Sequence, residues 1–255
     1  MIDFHTHVLP DFDDGPKDDE ASRALVEELM AQGVDTIVST SHFYPDEESP
    51  DDFVVRRDGS FCHLEDLCAD LDGLTLIQGA EVYCNEMLEI MADFRGLTIG
   101  DTSVILVELP NVRTLSPRIM KILKRLSDRH GLTPVIAHVE RYPELHRFAA
   151  RKVKRLRDLG CLIQINCDSI VGGKYNKVVN LLLDKGLVDL IGSDSHGTDR
   201  RPPHFAQACE IIERDFGRDV LGRLLGNAER LIGRDGRSGT QTRTDGDGGD
   251  PLALL

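Results

Sequence analysis

Residues 1–8 read MIDFHTHV and form the first apolar run of the chain. It has the apolar character of a buried β-strand and ends in two histidines, His5 and His7. Because side chains alternate along a strand, residues two apart point to the same face. Six further apolar runs follow, at residues 36–42, 74–82, 103–110, 133–140, 161–166 and 187–196. The sequence therefore predicts about seven strands.

The segments between these runs have helical periodicity. Apolar residues recur every three or four positions in 18–33 and in 116–130. Glycines follow the helical segments at the positions of C-terminal caps, namely Gly33, Gly131, Gly160 and Gly186. Alternating strands and helices predict an α/β protein with a parallel sheet, and the continuous apolar character favours a closed (β/α)7 TIM-like barrel. An open doubly wound sheet is the alternative.

The composition limits the class of protein. The 255-residue chain has 30 Lys and Arg against 44 Asp and Glu, a net charge of −14, which argues against binding to nucleic acid or to an anionic membrane. No apolar run approaches the length that spans a bilayer, and the N-terminus lacks the pattern of a signal peptide. Six scattered cysteines without a C-x-x-C motif predict a reduced, cytoplasmic protein.

The last part of the chain differs from the rest. Residues 234–255 are dominated by Gly, Asp, Thr and Arg and are predicted to form a disordered tail. Residues 1–233 are then expected to form one domain.

Ionisable side chains gather where the predicted strands end. In a parallel barrel the carboxyl ends of the strands meet at one mouth, which is where the sites of such barrels lie. A single histidine or carboxylate there is usually a solvated group, but so many together crowd charge unless cations are bound. Nine residues qualify: His5, His7, Asp14, His42, Glu81, Glu108, His138, Asp194 and His196.

Histidine and carboxylate ligands without cysteine favour Mn, Fe or Zn. Nine ligands exceed the need of one ion, so we expect two or three metal ions, a cluster suited to phosphoryl transfer. Arg141 and Arg201 follow predicted ligands closely, and arginine binds phosphate in bidentate fashion. They are candidate phosphate-binding residues, and a surface salt bridge is the alternative role for each.

Several motifs carry a family resemblance. The segments are HTHVLPDFDDGP (5–16), TIVSTSH (36–42), GAE (79–81), VEL (107–109), IAHVERY (136–142) and GSDSHGTDRRPPH (192–204). They resemble the PHP (polymerase and histidinol phosphatase) superfamily, and more specifically the metal-dependent protein-tyrosine phosphatases of bacterial capsular and exopolysaccharide operons. The resemblance runs from Met1 to about Ile232.

The resemblance implies a distorted seven-stranded barrel with three metal ions. In that family's pattern one ion is held by His5, His7, Glu81 and Asp194. Glu81 bridges to a second ion held by Glu108 and His138, and the third is held by Asp14, His42 and His196. Arg141 and Arg201 match the phosphate-binding positions.

The resemblance also implies the reaction. A hydroxide bridging the metals would hydrolyse a phosphomonoester, with Asp14 a candidate to protonate the leaving group. The implied substrate is phosphotyrosine of a polysaccharide-assembly tyrosine kinase.

Two enzymatic alternatives stay open at this point. One is a small-molecule phosphatase resembling histidinol phosphatase. The other is an amidohydrolase-like hydrolase, although that group commonly uses a carboxylated lysine where this chain has Glu81 and Glu108. A metal-stabilised module without activity is a third reading. The acidic segment 43–65 departs from the capsular enzymes and is expected near the mouth.

Overall fold

The computed structural model describes residues 1–111 and 115–233. The predicted tail at 234–255 lies outside the described residues. Every predicted strand region contains a strand. The segments are β1 (Ile2–Thr6), β2 (Thr36–Ser39), β3 (His42–Phe43), β4 (Thr75–Gln78), β5 (Glu81–Tyr83), β6 (Val104–Glu108), β7 (Thr133–Ile136), β8 (Leu162–Asn166) and β9 (Leu190–Gly192).

Helices connect the strands, and local sequence sets their ends. Ser116 caps the helix that starts at Pro117 by accepting a hydrogen bond from the Ile119 amide, and Gly131 ends it with φ 65°. The helices are α1 (Asp19–Ala31), α2 (Pro50–Leu67), α3 (Pro117–His130), α4 (Pro143–His146), α5 (Ala149–Arg157), α6 (Cys167–Val171), α7 (Asn176–Asp184), α8 (Phe205–Phe216) and α9 (Arg218–Leu231). The helices predicted in 18–33 and 116–130 are confirmed. No helix within the described ranges has the length and apolar character needed to cross a membrane.

The strands form a curled parallel sheet in a mixed α/β fold. Their order is β1-β2-β4 in one part and β3-β5-β6-β7-β8-β9 in the other. Strands β1 and β9 also lie next to each other, because Thr6 and Ser195 form a parallel bridge and the Asp194 amide donates to the His5 carbonyl at 2.7 Å. The carboxyl end of β1 therefore lies beside the carboxyl end of β9.

Two predicted strands are interrupted, which the apolar runs did not indicate. Residues 40–41 separate β2 from β3, and residues 79–80 separate β4 from β5. At the first break the Thr40 side chain accepts a hydrogen bond from the Thr6 amide, and the Thr40 amide donates to the Thr6 carbonyl. The chain then resumes as β3, where His42 pairs with Glu81. The breaks thus place two predicted ligands side by side.

An apolar cluster fills the curl of the sheet. It joins Phe4 of β1 and Val38 of β2 to Leu106 of β6, Val135 of β7 and Leu190 of β9, all buried. Because β2 does not pair with β6 or β7, these residues meet across the curl rather than along it. A larger apolar cluster packs the helices against the sheet.

The acidic segment 43–65 divides into two parts. Its first residues adjoin the mouth, since the Tyr44 ring stacks on His42 with centroids 5.5 Å apart. Its remainder is α2, which packs against α1 on the outside of the fold. His63 of α2 contacts Asp19 of α1 at 2.9 Å.

Candidate metal centre

The structure brings all nine predicted ligands together at one mouth of the curled sheet, with Glu81 at the centre. Its side chain is 1% exposed. Glu81 Oε1 lies 2.8 Å from His138 Nε2, and Oε2 lies 3.2 Å from His5 Nε2 and 3.4 Å from His7 Nε2. The two oxygens of one carboxylate therefore face histidines of different strands, as a bridging ligand would.

Two further carboxylates complete the groups around Glu81. Asp194 Oδ1 lies 3.5 Å from Nε2 of both His5 and His7. Glu108 Oε1 lies 4.0 Å from His138 Nε2. The residues of the first two sets that the family resemblance implies therefore lie close together.

A third group lies toward solvent. Asp14 Oδ1 lies 2.9 Å from His196 Nε2 and 3.4 Å from His42 Nε2. The Asp14 side chain is 53% exposed. The other ring nitrogen of His42, Nδ1, is 3.2 Å from Glu81 Oε2, so His42 faces both groups. Possible ligand atoms lie within 4.8 Å of one another in three sets, His7–Asp14–His42–His196, His5–His7–Glu81 and His42–Glu81–Glu108.

Unusual backbone conformations aim several of these side chains. His138 has φ 33°, Asp194 has φ 51° and Arg201 has φ 57°. Residues other than glycine rarely adopt this left-handed region, and such strain collects at functional sites. The register of β1 against β2 also shifts between Asp3 and Thr6, the stretch that contains His5.

The donor atoms fit a metal ion. Glu81 Oε2 and His42 Nδ1 are both buried and have no hydrogen-bond partner, although they lie 3.2 Å apart. Buried polar atoms without partners are rare and costly. A cation between an imidazole nitrogen and a carboxylate oxygen satisfies both atoms, and this donor set suits Mn, Fe or Zn.

The protonation equilibria reflect crowded charge. Burial by itself would raise the pKa of Glu81, but His5 and His138 hold it well below its usual range. Burial and then the Glu81 carboxylate raise the pKa of Glu108. Burial opposes a charged His7, yet the Asp13 carboxylate brings the pKa of His7 well above its usual range. The carboxylates thus favour a proton on His7 despite its burial.

Asp14 lies between two of the histidines of the third group. Hydrogen bonds from His196 and His42 hold the pKa of Asp14 well below its ordinary value. These contacts favour the charged carboxylate, which is the form that a metal ligand takes.

Arg141 and Arg201 converge on Asp194 rather than extending freely into solvent. Arg141 Nη1 lies 2.7 Å from Asp194 Oδ2, and Arg201 Nη2 lies 2.5 Å from the same oxygen. Both arginines line a cavity of about 210 Å³, together with Lys174 and Tyr175. The two guanidinium groups thus stand beside the candidate metal ligands, on the wall of a space that a phosphate group can enter.

The sequence analysis missed Asp13. Asp13 Oδ2 lies 2.9 Å from His7 Nδ1 and accepts a hydrogen bond from the His42 amide. A carboxylate on the second ring nitrogen orients a metal-binding histidine. Gly15 permits this turn, because a Cβ there would lie 2.7 Å from the His7 carbonyl oxygen. The signal was Asp13's place in the run DFDDGP.

Strand β8 supplies two further residues that the sequence analysis missed. Gln164 Oε1 accepts a hydrogen bond from the His138 amide at 2.7 Å, and its amide group donates to Asn166 Oδ1 at 2.9 Å. Asn166 donates in turn to Asp194 Oδ2 at 2.6 Å. The available signal in the sequence was the pair of amide side chains, Gln164 and Asn166, two residues apart in the apolar run CLIQIN (161–166).

A curled parallel α/β sheet with histidines and carboxylates converging at the carboxyl ends of its strands is the arrangement of metal-dependent hydrolases. The family model described as "Capsular polysaccharide synthesis, CpsB/CapC" matches residues 1–233. The chain belongs to the CpsB/CapC family.

Named relatives agree with this assignment. The tyrosine-protein phosphatase CpsB of Streptococcus agalactiae serotype III is 35% identical over 243 residues, which cover 91% of this chain and 98% of CpsB. The tyrosine-protein phosphatase YwqE of Bacillus subtilis is 30% identical, over 91% of each chain. A chain from the crystal structures of YwqE from Bacillus subtilis and CpsB from Streptococcus pneumoniae superposes with a TM-score of 0.78 and 29% identity, covering 92% of this chain and 95% of that one. That work describes both proteins as unique metal-dependent tyrosine phosphatases.

Proposed function

We propose that this protein is a metal-dependent protein-tyrosine phosphatase. The observation that carries the proposal is the convergence of histidine and carboxylate atoms on both oxygens of Glu81, beside Arg141 and Arg201. The names of the relatives support the reaction and the type of substrate.

We assign two or three metal ions to this centre, with Mn favoured and Fe or Zn possible. The three ligand sets are His5–His7–Glu81–Asp194, Glu81–Glu108–His138 and Asp14–His42–His196. When bound, such ions activate a water molecule and neutralise charge on phosphoryl oxygens.

The protein's own contribution is to bind and orient the phosphate. Arg141 and Arg201 would move from Asp194 Oδ2 to the phosphoryl oxygens, which also accept charge-assisted hydrogen bonds from guanidinium groups. Asp194 keeps the hydrogen bond from Asn166 during this exchange. The arginines then hold the phosphorus in line for attack and offset the charge that develops.

The mouth also suits an aromatic leaving group. The Tyr44 ring stacks on His42 and lies 5.7 Å from the Tyr83 ring, so an aromatic surface borders the site. A phenolate leaves readily, which reduces the need for a protein acid.

The finer architecture and setting are part of the same proposal. We propose that residues 1–233 form one PHP phosphoesterase domain, in which β2 with β3 and β4 with β5 act as single strands of a distorted (β/α)7 barrel. The bridge between Thr6 and Ser195 and the extent of the family match support this. The substrate would be a phosphotyrosine protein, the tyrosine kinase of polysaccharide assembly. A cytoplasmic location fits the six free cysteines.

The test is metal analysis of the purified protein alongside turnover of p-nitrophenyl phosphate, a phosphotyrosine peptide, a phosphoserine peptide and histidinol phosphate. We expect bound transition metal and preferred turnover of the phosphotyrosine peptide. Preferred turnover of histidinol phosphate would instead indicate a small-molecule phosphatase. Hydrolysis of amides or lactones without phosphatase activity would indicate an amidohydrolase-like enzyme, and no turnover of any of these by metal-loaded protein would overturn the proposal.

A further inference from the structure

One face of the protein is positively charged, although the net charge of the chain is −14. Residues 147–157 read RFAARKVKRLR and comprise α5 with the residues before it. The side chains of Arg147, Arg151, Lys154 and Arg155 are exposed, and within the described residues none of them forms an ion pair. The overall composition gave no indication of this local excess of positive charge.

Within the described residues, many exposed cations outside this face form ion pairs. Arg56 contacts Glu48 at 2.5 Å, and Arg118 contacts Glu86 at 2.5 Å. Lys124 contacts Asp128 at 2.6 Å. An acidic protein offers many carboxylates, so cations left without one on a single face form a positive surface open to an external anion.

The cationic face continues from the candidate phosphate-binding cavity. Lys174 and Tyr175 line that cavity, and the Tyr175 ring lies 5.8 Å from the ring of His146. His146 precedes Arg147, whose guanidinium lies 5.1 Å from the exposed ring of Phe148. From there α5 leads to a groove of about 620 Å³, whose charged lining residues are four cations and one carboxylate: Arg151, Lys154, Arg157, Lys185 and Asp158. We call Lys174, Arg147, Arg151, Lys154 and Lys185 the basic track.

The segment after His42 gives the mouth the opposite charge. Asp46 and Glu47 are exposed directly after Tyr44, whose ring stacks on His42. An anionic chain leaving the site is therefore repelled near β3 and attracted along α5. This asymmetry gives a bound polypeptide one favoured direction.

We propose that the basic track binds an acidic polypeptide segment adjacent to the phosphotyrosine. This inference rests on the proposed function and specifies its substrate as phosphotyrosine in an acidic sequence. A peptide is favoured over an anionic membrane because the track is grooved and leads out of the phosphate-binding cavity. Acidic residues at the same mouth would also be repelled by a bilayer of like charge.

The effect should appear in KM. Arg151 and Lys154 line a groove separate from the phosphate-binding cavity, so they bind ground state and transition state equally. Exposed charge pairs each contribute little, but several acting together should lower KM about three- to tenfold at low salt. Screening at high salt should remove the difference.

The experiment compares two phosphotyrosine peptides of equal length, one with Asp and Glu beside the phosphotyrosine and one with Ala and Gln. Metal-loaded wild type is compared with the double variant Arg151→Gln/Lys154→Gln. The control is Lys124→Gln/Arg129→Gln on α3, which removes the same charge elsewhere. Each protein is assayed at about 20 mM and about 500 mM NaCl.

At low salt we expect wild type and control to have a KM about three- to tenfold lower for the acidic peptide than for the neutral one. In the α5 variant, and in every protein at high salt, the ratio of these two KM values should fall to near one. Equal KM for both peptides in wild type, or an unchanged ratio in the α5 variant, would overturn the inference while the phosphatase assignment stands. Absence of turnover of either peptide would instead count against the proposed function. If the ratio is unchanged and the α5 variant loses binding to phosphatidylserine vesicles, the face belongs to a lipid surface and the inference is wrong.

Discussion

Glu81 and His138 lie 2.8 Å apart, carboxylate oxygen to ring nitrogen, although β6 separates their strands β5 and β7 in the sheet. The contact exists because His138 follows β7 by two residues and turns back in the left-handed conformation. Glu81, at the start of β5, also reaches the histidines of β1. One carboxylate thus joins opposite sides of the curl.

Replacing this carboxylate should remove metal and activity together. Glu81→Gln keeps the shape of the side chain but loses the charge that two ligand sets share, so we expect at least about a hundredfold loss of phosphatase activity with reduced bound metal. Metal stoichiometry and steady-state rates check this. Glu229→Gln, an exposed substitution on α9, is the matched control. Full activity in a metal-depleted Glu81→Gln protein would contradict the assignment.

The arginines should separate phosphate binding from metal binding. Arg141→Ala and Arg201→Ala each remove a charged hydrogen bond to phosphate worth about 1.5–3 kcal/mol, so kcat/KM should fall about ten- to a hundredfold. Neither side chain can ligate a cation, and metal content should persist. Inhibition by free phosphate should weaken in parallel. Wild-type kinetics in both variants would place these arginines outside the site.

The amides of β8 should affect metal affinity without being ligands. Gln164→Ala removes the hydrogen-bond acceptor of the His138 amide and the donor to Asn166, so metal affinity should fall about ten- to a hundredfold. Gln164→Glu retains the acceptor and should lose less. Competition with a chelating dye measures the affinity, and circular dichroism checks folding. A folded Gln164→Ala protein with wild-type affinity would rule out this positioning role.

Chelators should inactivate the enzyme and thiol reagents should not. Within the described residues five cysteines are buried and Cys62 is exposed. Burial raises the pKa of Cys84 and Cys161 to about 12 and that of Cys209 to about 11, so their thiolates are scarce at neutral pH. EDTA followed by Mn²⁺ should abolish and restore turnover. Inactivation by iodoacetamide that persists in Cys62→Ser would argue for a cysteine nucleophile.

Metal affinity should rise with pH. In the metal-free protein burial opposes protonation of His138, but its contact with Glu81 raises the pKa of His138, and Asp13 raises that of His7. A metal must displace these protons, so binding weakens as pH falls below the raised values, by about tenfold per unit for each proton released. Titrations between about pH 5.5 and about pH 8.5 measure the slope. An affinity independent of pH would contradict the ligand assignment.

The fold could be predicted from the sequence wherever the signal for a strand or helix lies in the residues of that element. Apolar runs marked every strand region, and Gly131 marked the end of α3. The breaks at residues 40–41 and 79–80 could not be predicted, because they depend on hydrogen bonds between distant segments such as Thr6 and Thr40.

The candidate site could likewise be predicted only in part from the sequence. The histidines and carboxylates at strand ends were found because parallel strands bring their carboxyl ends together. Gln164 and Asn166 were missed because neutral amides in a buried strand carry no chemical signature until their partners are known. The pairing of Arg141 and Arg201 with one oxygen of Asp194 depends on backbone turns that no local pattern encodes.

The most direct test of the metal centre is anomalous scattering at the manganese absorption edge from crystals of the Mn²⁺-loaded protein. The account predicts two or three peaks at the carboxyl ends of the strands, with both oxygens of Glu81 at bonding distance, about 2.0–2.2 Å, from metal. A single peak that Glu81 does not contact, or no peak among these histidines and carboxylates, would contradict it.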